Sequence, residues 1–300
     1  VQNGCKFSYP ASSNIRTVYL KEVTVKFIAL LKKANVLLSA FAILFQINAV
    51  QAADKLVITG SSTIAPLAAE IGKRFEKLNP DVRVDVQTGG SSRGVSDARS
   101  GLADIGMASR ALKAEENDLK SFIIALDGIG LILHKDNPVK TLTDQQVINI
   151  YTGKITNWKQ VGGKDVRITV VNKAEGRSTL ELFLHYYKLK NSDIKPQVVI
   201  GDNQQGIKTV AGNPGAIGYV SIGTAEFDAG NGVPIKLLPL NGVVASVENV
   251  RNGSFPLSRP LNLVTKTAPQ GLAKRFIAFA SSKNVDDIVE AQYFVPRSRK

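Results

Sequence analysis

The sequence has little of what most catalytic and metal centres are made from: one Cys, one Met, one Trp and two His among 300 residues. A single Cys excludes a disulfide framework and a cysteine-based zinc site, and His134 and His185 alone leave no material for a histidine metal cluster. No cofactor is implied. No stretch reads as a Walker-type loop, so a nucleotide phosphate cradle is absent. Aromatic residues make up 7% and form no stripe on which bases could stack. With the basic residues scattered among acidic ones, this excludes a nucleic-acid groove. What is present is the composition of a folded protein, 44% apolar and 21% charged, with 38 Lys and Arg against 25 Asp and Glu. The balance of +13 suggests an attraction for anions.

Part of that charge belongs to a leader. In KFIALLKKANVLLSAFAILFQINAVQA, Lys26, Lys32 and Lys33 precede an apolar run from Ala34 to Ile47, and Val50 and Ala52 then bracket a position. This order predicts a secretory signal peptide within a leader of residues 1–52, cut after Ala52, and delivery to the periplasm. The apolar run is shorter than the ~20 residues a membrane span needs. Cys5 lies upstream of it and is not placed for lipidation at a cleavage site. Removal of the leader leaves 32 basic and 24 acidic residues, a charge of +8, and no cysteine. Stability must then come from the core alone.

From Lys55 onward, short apolar runs alternate with helical periodicity. LVI (56–58) reads as a buried strand, and Ile64, Leu67, Ala68, Ile71, Phe75 and Leu78 form one helical stripe that ends at Asn79-Pro80. VRVDVQ (82–87) alternates as a half-buried strand, and a short helix carries Val95, Ala98 and Leu102 before the strand ADIGMAS (103–109). IGLILH (129–134), RITVV (167–171), AIGYVS (216–221) and IKLLPL (235–240) read as further strands. Helices are predicted over 144–153, 178–189, 269–281 and 285–292. The pattern predicts an α/β fold with a largely parallel sheet and helices on its faces.

Three strand-to-helix turns share a composition: Gly60-Ser61-Ser62-Thr63, Gly89-Gly90-Ser91-Ser92-Arg93-Gly94 and Glu175-Gly176-Arg177-Ser178-Thr179. Singly, each is a helix N-cap. In a parallel α/β sheet, however, all three lie at the carboxyl ends of strands, where helix starts offer free N–H donors and partial positive charge. Together they form a site for a compact anion with several oxygens. Lys173, Arg177 and Arg110 stand at strand ends beside these turns and are candidates to face it.

GSSRG (90–94) also matches the nucleophile elbow of serine hydrolases, with Ser92 as nucleophile. Such an enzyme needs a histidine base. His185 follows Glu181 on the polar face of its helix, and His134 has no later Asp-then-His order to complete a triad. Trp158 and Tyr219 read as packing residues.

TGSSTIAPLAAEIGKRFEKLNPDVRVDVQTGGSSRGV, ADIGMASR, INIYTGKITNWKQVGG, VVNKAEGRSTLELF, NPGAIGYVS and FPLSRPLNLVT occur in this order. The set resembles the phosphate-binding proteins of bacterial ABC phosphate importers over residues 55 to about 295. The resemblance implies a two-lobe periplasmic-binding-protein architecture of type II: mixed, mostly parallel sheets, helices on both faces and two crossover segments. Crossings near His134 and Pro256-Leu257 give lobe I as 53–134 plus 258–300 and lobe II as 135–257. It implies a monomer without enzymatic activity that captures inorganic phosphate between its lobes and delivers it to membrane permease subunits. The alternatives are a binding protein for another tetrahedral oxyanion, or a secreted phosphatase-like or interaction protein on the same fold.

The site implied by the resemblance comprises Ser62, Thr63, Ile64, Ser91, Ser92, Arg110, Lys173, Arg177, Ser178 and Thr179. Lys173 stands where an arginine is common, and Arg177 where the motif has a serine. Arg110 stands where some members have an aspartate that accepts the proton of hydrogen phosphate and so rejects sulfate. Asp127 and Glu175 are candidates to supply that acceptor instead.

Overall fold

The computed structural model describes residues 53–297; the expected leader, its expected cleavage point after Ala52 and Cys5 lie outside these residues. The first half runs β1 (Asp54–Gly60), α1 (Ala65–Leu78), β2 (Val82–Thr88), α2 (Ser91–Ser100), β3 (Ile105–Ala108) and β4 (Lys120–His134). Then come α3 (Asp144–Tyr151), β5 (Thr169–Lys173), α4 (Ser178–Tyr187), β6 (Val198–Ile200), α5 (Asn203–Ala211), β7 (Ala216–Ser221) and α6 (Ile222–Gly230). β8 (Ile235–Leu237), α7 (Val247–Arg251), β9 (Ser258–Thr265), α8 (Gly271–Ala280), α9 (Asp286–Ala291) and β10 (Val295–Pro296) complete the described chain.

Sheet order is β2-β1-β3-β9-β4-β7-β5-β6, with β8 and β10 pairing β4 off this path. The ladders of the two wings are parallel: β1 with β2 and β3, and β5 with β6 and β7. Every antiparallel ladder involves β4 or β9. The fifteen-residue β4 is where the two wings join. Its Lys120–Gly128 portion pairs with β9, and its Ile129–Leu133 portion pairs with β7. IGLILH is thus the second part of a longer strand, and the change of partner falls at Gly128–Ile129, upstream of His134.

Separate apolar clusters hold the wings. Leu56, Ile58, Leu67, Ile71, Phe75 and Phe276 belong to the first, with α1 and α8 packed on one face of the β1 sheet. Tyr151, Trp158, Phe183 and Tyr219 belong to the second, where the Phe183 and Tyr219 rings stack 4.0 Å apart. Trp158 and Tyr219 are both buried, as their apolar surroundings in sequence suggest. Leu102 is not: α2 stops at Ser100, Gly101 takes a left-handed conformation as its C-cap, and Leu102 beyond it is 75% exposed. Leu78 likewise ends α1 exposed.

Two glycines bring the helix starts close to their neighbours. Gly94 in the first turn of α2 has no Cβ, which would stand 2.8 Å from Gly60 Cα and 2.7 Å from the Met107 carbonyl oxygen. Gly90, at φ 95°, lets the chain pass beside Gly176, whose carbonyl accepts from Ser92 N at 3.2 Å. Helix α2 therefore begins against both β1 and the turn that opens α4.

Candidate functional site

Two opposite charges sit in two apolar strands and face each other. Asp127 of β4 and Arg259 of β9 are register partners, and both side chains are excluded from water. Arg259 Nη2 and Nε donate to Asp127 Oδ2 at 2.9 and 3.2 Å. A buried charge is retained only when paired, and a cross-strand position supplies the partner. Asp127 Oδ1 accepts from Gly223 N at 3.3 Å.

The rest of the guanidinium is aimed at hydroxyls. Arg259 Nη1 donates to Thr179 Oγ1 at 3.0 Å and to Ser109 Oγ at 3.3 Å, and Nη2 donates to Thr63 Oγ1 at 3.3 Å. Thr63 Oγ1 also accepts from Asn203 Nδ2 at 3.2 Å. An oxygen that already accepts has its own hydrogen to give, so Arg259 turns these hydroxyls into donors. Ser91 Oγ, which accepts from Ser109 N at 3.1 Å, continues the group. Ser178 Oγ, next to Thr179 in sequence, is buried and has no hydrogen-bond partner.

Lys173 ends β5 and is buried; its Nζ donates to Asn203 Oδ1 at 2.8 Å. Burial, then the Arg259 charge, push it down to about 7, with Asp202 opposing and Arg177 adding to the fall. Its backbone is fixed from the aromatic core, because Lys173 N donates to Tyr219 Oη, which in turn donates to Asn172 Oδ1. Burial raises the Tyr219 phenol and keeps it a donor. Lys173, Asn203, Thr63, Arg259 and Asp127 thus form one chain of contacts that passes from one wing to the other. The ionisable groups on it are two bases and one acid, so the site is net positive where Lys173 keeps its proton.

Of the residues singled out from sequence, Thr63, Ser91, Lys173, Ser178 and Thr179 are buried polar groups on or beside this chain. Thr63 N and Ile64 N both approach Ser61 Oγ, at 3.2 and 3.4 Å, and the Ile64 side chain is in the core. Ser62 is half-buried and lines a pocket of about 230 Å³ with Pro66, Thr88, Asp202, Gln204 and Asn203, so the pocket borders this chain of contacts. Ser92 donates to Glu181 at 3.0 Å, so its hydroxyl has a carboxylate partner rather than an imidazole. Arg177 is half-buried, and its Nε has no hydrogen-bond partner.

Arg110 is placed differently from the expectation that it faces an anion. Its two terminal nitrogens grip Glu116 at 2.7 and 2.8 Å, and its Nε stands 2.9 Å from Glu181 Oε2. Burial opposes its charge, but Glu116 and Glu181 outweigh this and hold it above the usual guanidinium range. A guanidinium already paired with two carboxylates has little field left for a third anion. Arg259, Ser109 and Asn203 are the members that sequence reasoning missed. A charge inside an apolar strand was the available signal for Arg259, and Asn203 at the start of α5 is a fourth helix start of the same kind. Glu175 is exposed and accepts from Asn191, away from the Arg259 group. Among the described residues no cluster of His, Cys, Asp and Glu is placed to hold a metal ion.

Comparison with known proteins agrees with this architecture. A family profile described as a PBP superfamily domain matches residues 48–284. The phosphate-binding protein PstS of Bacillus subtilis is 31% identical over 251 residues, 82% of this chain and 82% of that protein. A Clostridium perfringens structure, described as a phosphate ABC transporter substrate-binding protein with bound phosphate, is 36% identical with a TM-score of 0.75. It is covered over 99% of its length by 81% of this chain. An ABC-type phosphate transport receptor from Vibrio cholerae is 30% identical with a TM-score of 0.65, over 81% of this chain and 99% of its own. The fold is the two-lobe α/β architecture of solute-binding proteins. The chain belongs to the PBP superfamily and, within it, to the family of phosphate-binding PstS proteins.

Proposed function

We propose that this protein is exported, with its leader cut after Ala52, binds inorganic phosphate between its lobes without turning it over, and delivers it as a monomer to the permease of an ABC importer. The lobes are residues 53–128 with 258–297, and residues 129–257, following the change of partner along β4. Among the described residues no helix is long and apolar enough to cross a membrane. The observation that carries the reading is the ring around Arg259: Thr63 and Ser109 from one lobe and Thr179 from the other, all held as hydrogen donors. With Lys173, Ser91 and Ser178 they offer donors from several sides to a tetrahedral oxyanion. Each charge-assisted bond contributes ~1.5–3 kcal/mol, and the set is complete only when the lobes meet.

Asp127 supplies the acceptor that Arg110 cannot. A hydrogen phosphate can donate its proton to a carboxylate, whereas sulfate would bring two acceptors together and leave both unpaired in a buried site. Calorimetric titration with phosphate, arsenate, sulfate and molybdate tests the assignment. Phosphate and arsenate should bind one per protein, about micromolar or tighter, with no heat from sulfate. Absence of phosphate binding alongside clear binding of another oxyanion would overturn it, and phosphomonoester hydrolysis abolished by Ser92→Ala would overturn the absence of turnover.

A further inference from the structure

Besides the Arg259 ring, the lobes share a second cluster of polar side chains, and this one is made of opposite charges. In it, Glu181 in the first turn of α4 reaches across to the first lobe. Its Oε1 accepts from Ser92 at 3.0 Å, and its Oε2 stands 2.9 Å from Arg110 Nε and 3.2 Å from Lys113 Nζ. Arg110 is itself anchored within its own lobe by Glu116, which also accepts from Lys113 N at 2.9 Å. Two cations and two carboxylates balance, so the cluster needs no further anion. Arg110 Nε and Glu181 Oε2 are buried, 2.9 Å apart and not aligned as a hydrogen bond; each has only charge to satisfy it. Parting the lobes would strip Glu181 of both cations and the Ser92 hydroxyl, while Arg110 would keep Glu116.

We propose that Glu181 is an interlobe latch that favours the closed form and so sets phosphate affinity and release without touching phosphate. Resting on the phosphate-binding reading above, it gives Arg110 a role that an acidic side chain at that position could not have: the catch for the latch. A contact present only in the closed form raises the closed population before ligand arrives, so the ligand binds more tightly and leaves more slowly. The ionic part of the contact weakens with salt, though less than at a fully exposed pair, because Arg110 is buried and Glu181 is only one-quarter exposed.

Small-angle scattering of the purified protein in phosphate-free buffer tests the latch directly, because it reads the lobe separation with no ligand present. Glu181→Gln, which keeps the side chain's shape and removes its charge, should give a larger radius of gyration than the parent. Stopped-flow release of phosphate from the same variant should be about tenfold faster. Lys113→Ala, a milder change at an exposed partner, should shift both in the same direction by less, and serves if Glu181→Gln folds poorly. An unchanged radius and an unchanged release rate in both variants would overturn the proposal. Failure of the parent to bind phosphate at all would refute the functional reading instead, and the scattering comparison would still decide the latch.

Discussion

The proposed function gives Lys173 and Asp127 opposite tasks, and each makes a prediction about a single side chain. Burial and Arg259 hold Lys173 near 7. Above that value the folded chain has given up a proton that the unfolded chain keeps, so the phosphate-free fold gains stability from this group as pH rises from about 7 toward the ordinary lysine range. Phosphate has the opposite preference, because it binds the charged ammonium better. Affinity should therefore fall as pH climbs through about 7, with net proton uptake on binding. Lys173→Arg stays charged throughout and reports phosphate's own titration; a profile identical to the parent's would show that Lys173 does not titrate in the site. For Asp127→Asn, phosphate should weaken about ten- to a hundredfold while sulfate gains, since the amide can donate where the carboxylate could only accept. Retention of the parent's phosphate-over-sulfate preference in a competition titration would remove Asp127 from the selectivity argument.

At the scale of elements, the site is a meeting of helix starts. Thr63 precedes α1, Ser91 opens α2, Ser178 and Thr179 open α4, and Asn203 opens α5. Three of these were legible in the sequence, because a Gly followed by Ser or Thr at a strand-to-helix junction has a local physical meaning that needs no tertiary contact. Arg259 was not, although it lies in a segment, FPLSRPLNLVT, that helped to reveal the family. Its meaning depends on Asp127 standing opposite across 132 positions of chain, and register between distant strands is not written in either strand alone. Arg110 was legible as a charge at a strand end but not in its direction, which Glu116 and Glu181 decide. The close seat of α2 makes a further prediction. Gly94→Ala would press a methyl group against backbone on two sides and should cost about 1–3 kcal/mol in urea unfolding, with weaker phosphate binding because Ser91 moves with its helix. A variant with the parent's unfolding midpoint would mean that the helix can shift freely.

For the whole molecule, the long strand β4 and the return strand β9 do the work of two crossovers. Because β4 belongs to both sheets, with its change of partner at Gly128–Ile129, Asp127 sits at the joint itself. On the lobe division proposed above, the site charge and the hinge would be neighbours, and the ring about Arg259 would close only when the second lobe brings Thr179 and Asn203 to it. The composition bears on function less through its total than through placement: of the cations near the cleft, Arg259 and Lys173 face the polar ring, whereas Arg110 is spent on carboxylates. A crystal structure with phosphate tests this most directly. One phosphate should lie against Thr63 of the first lobe and Thr179 of the second, within reach of Lys173, with Arg110 still bound to Glu116 and Glu181. A phosphate held by Arg110 with its carboxylates displaced, or one touching a single lobe, would contradict the account.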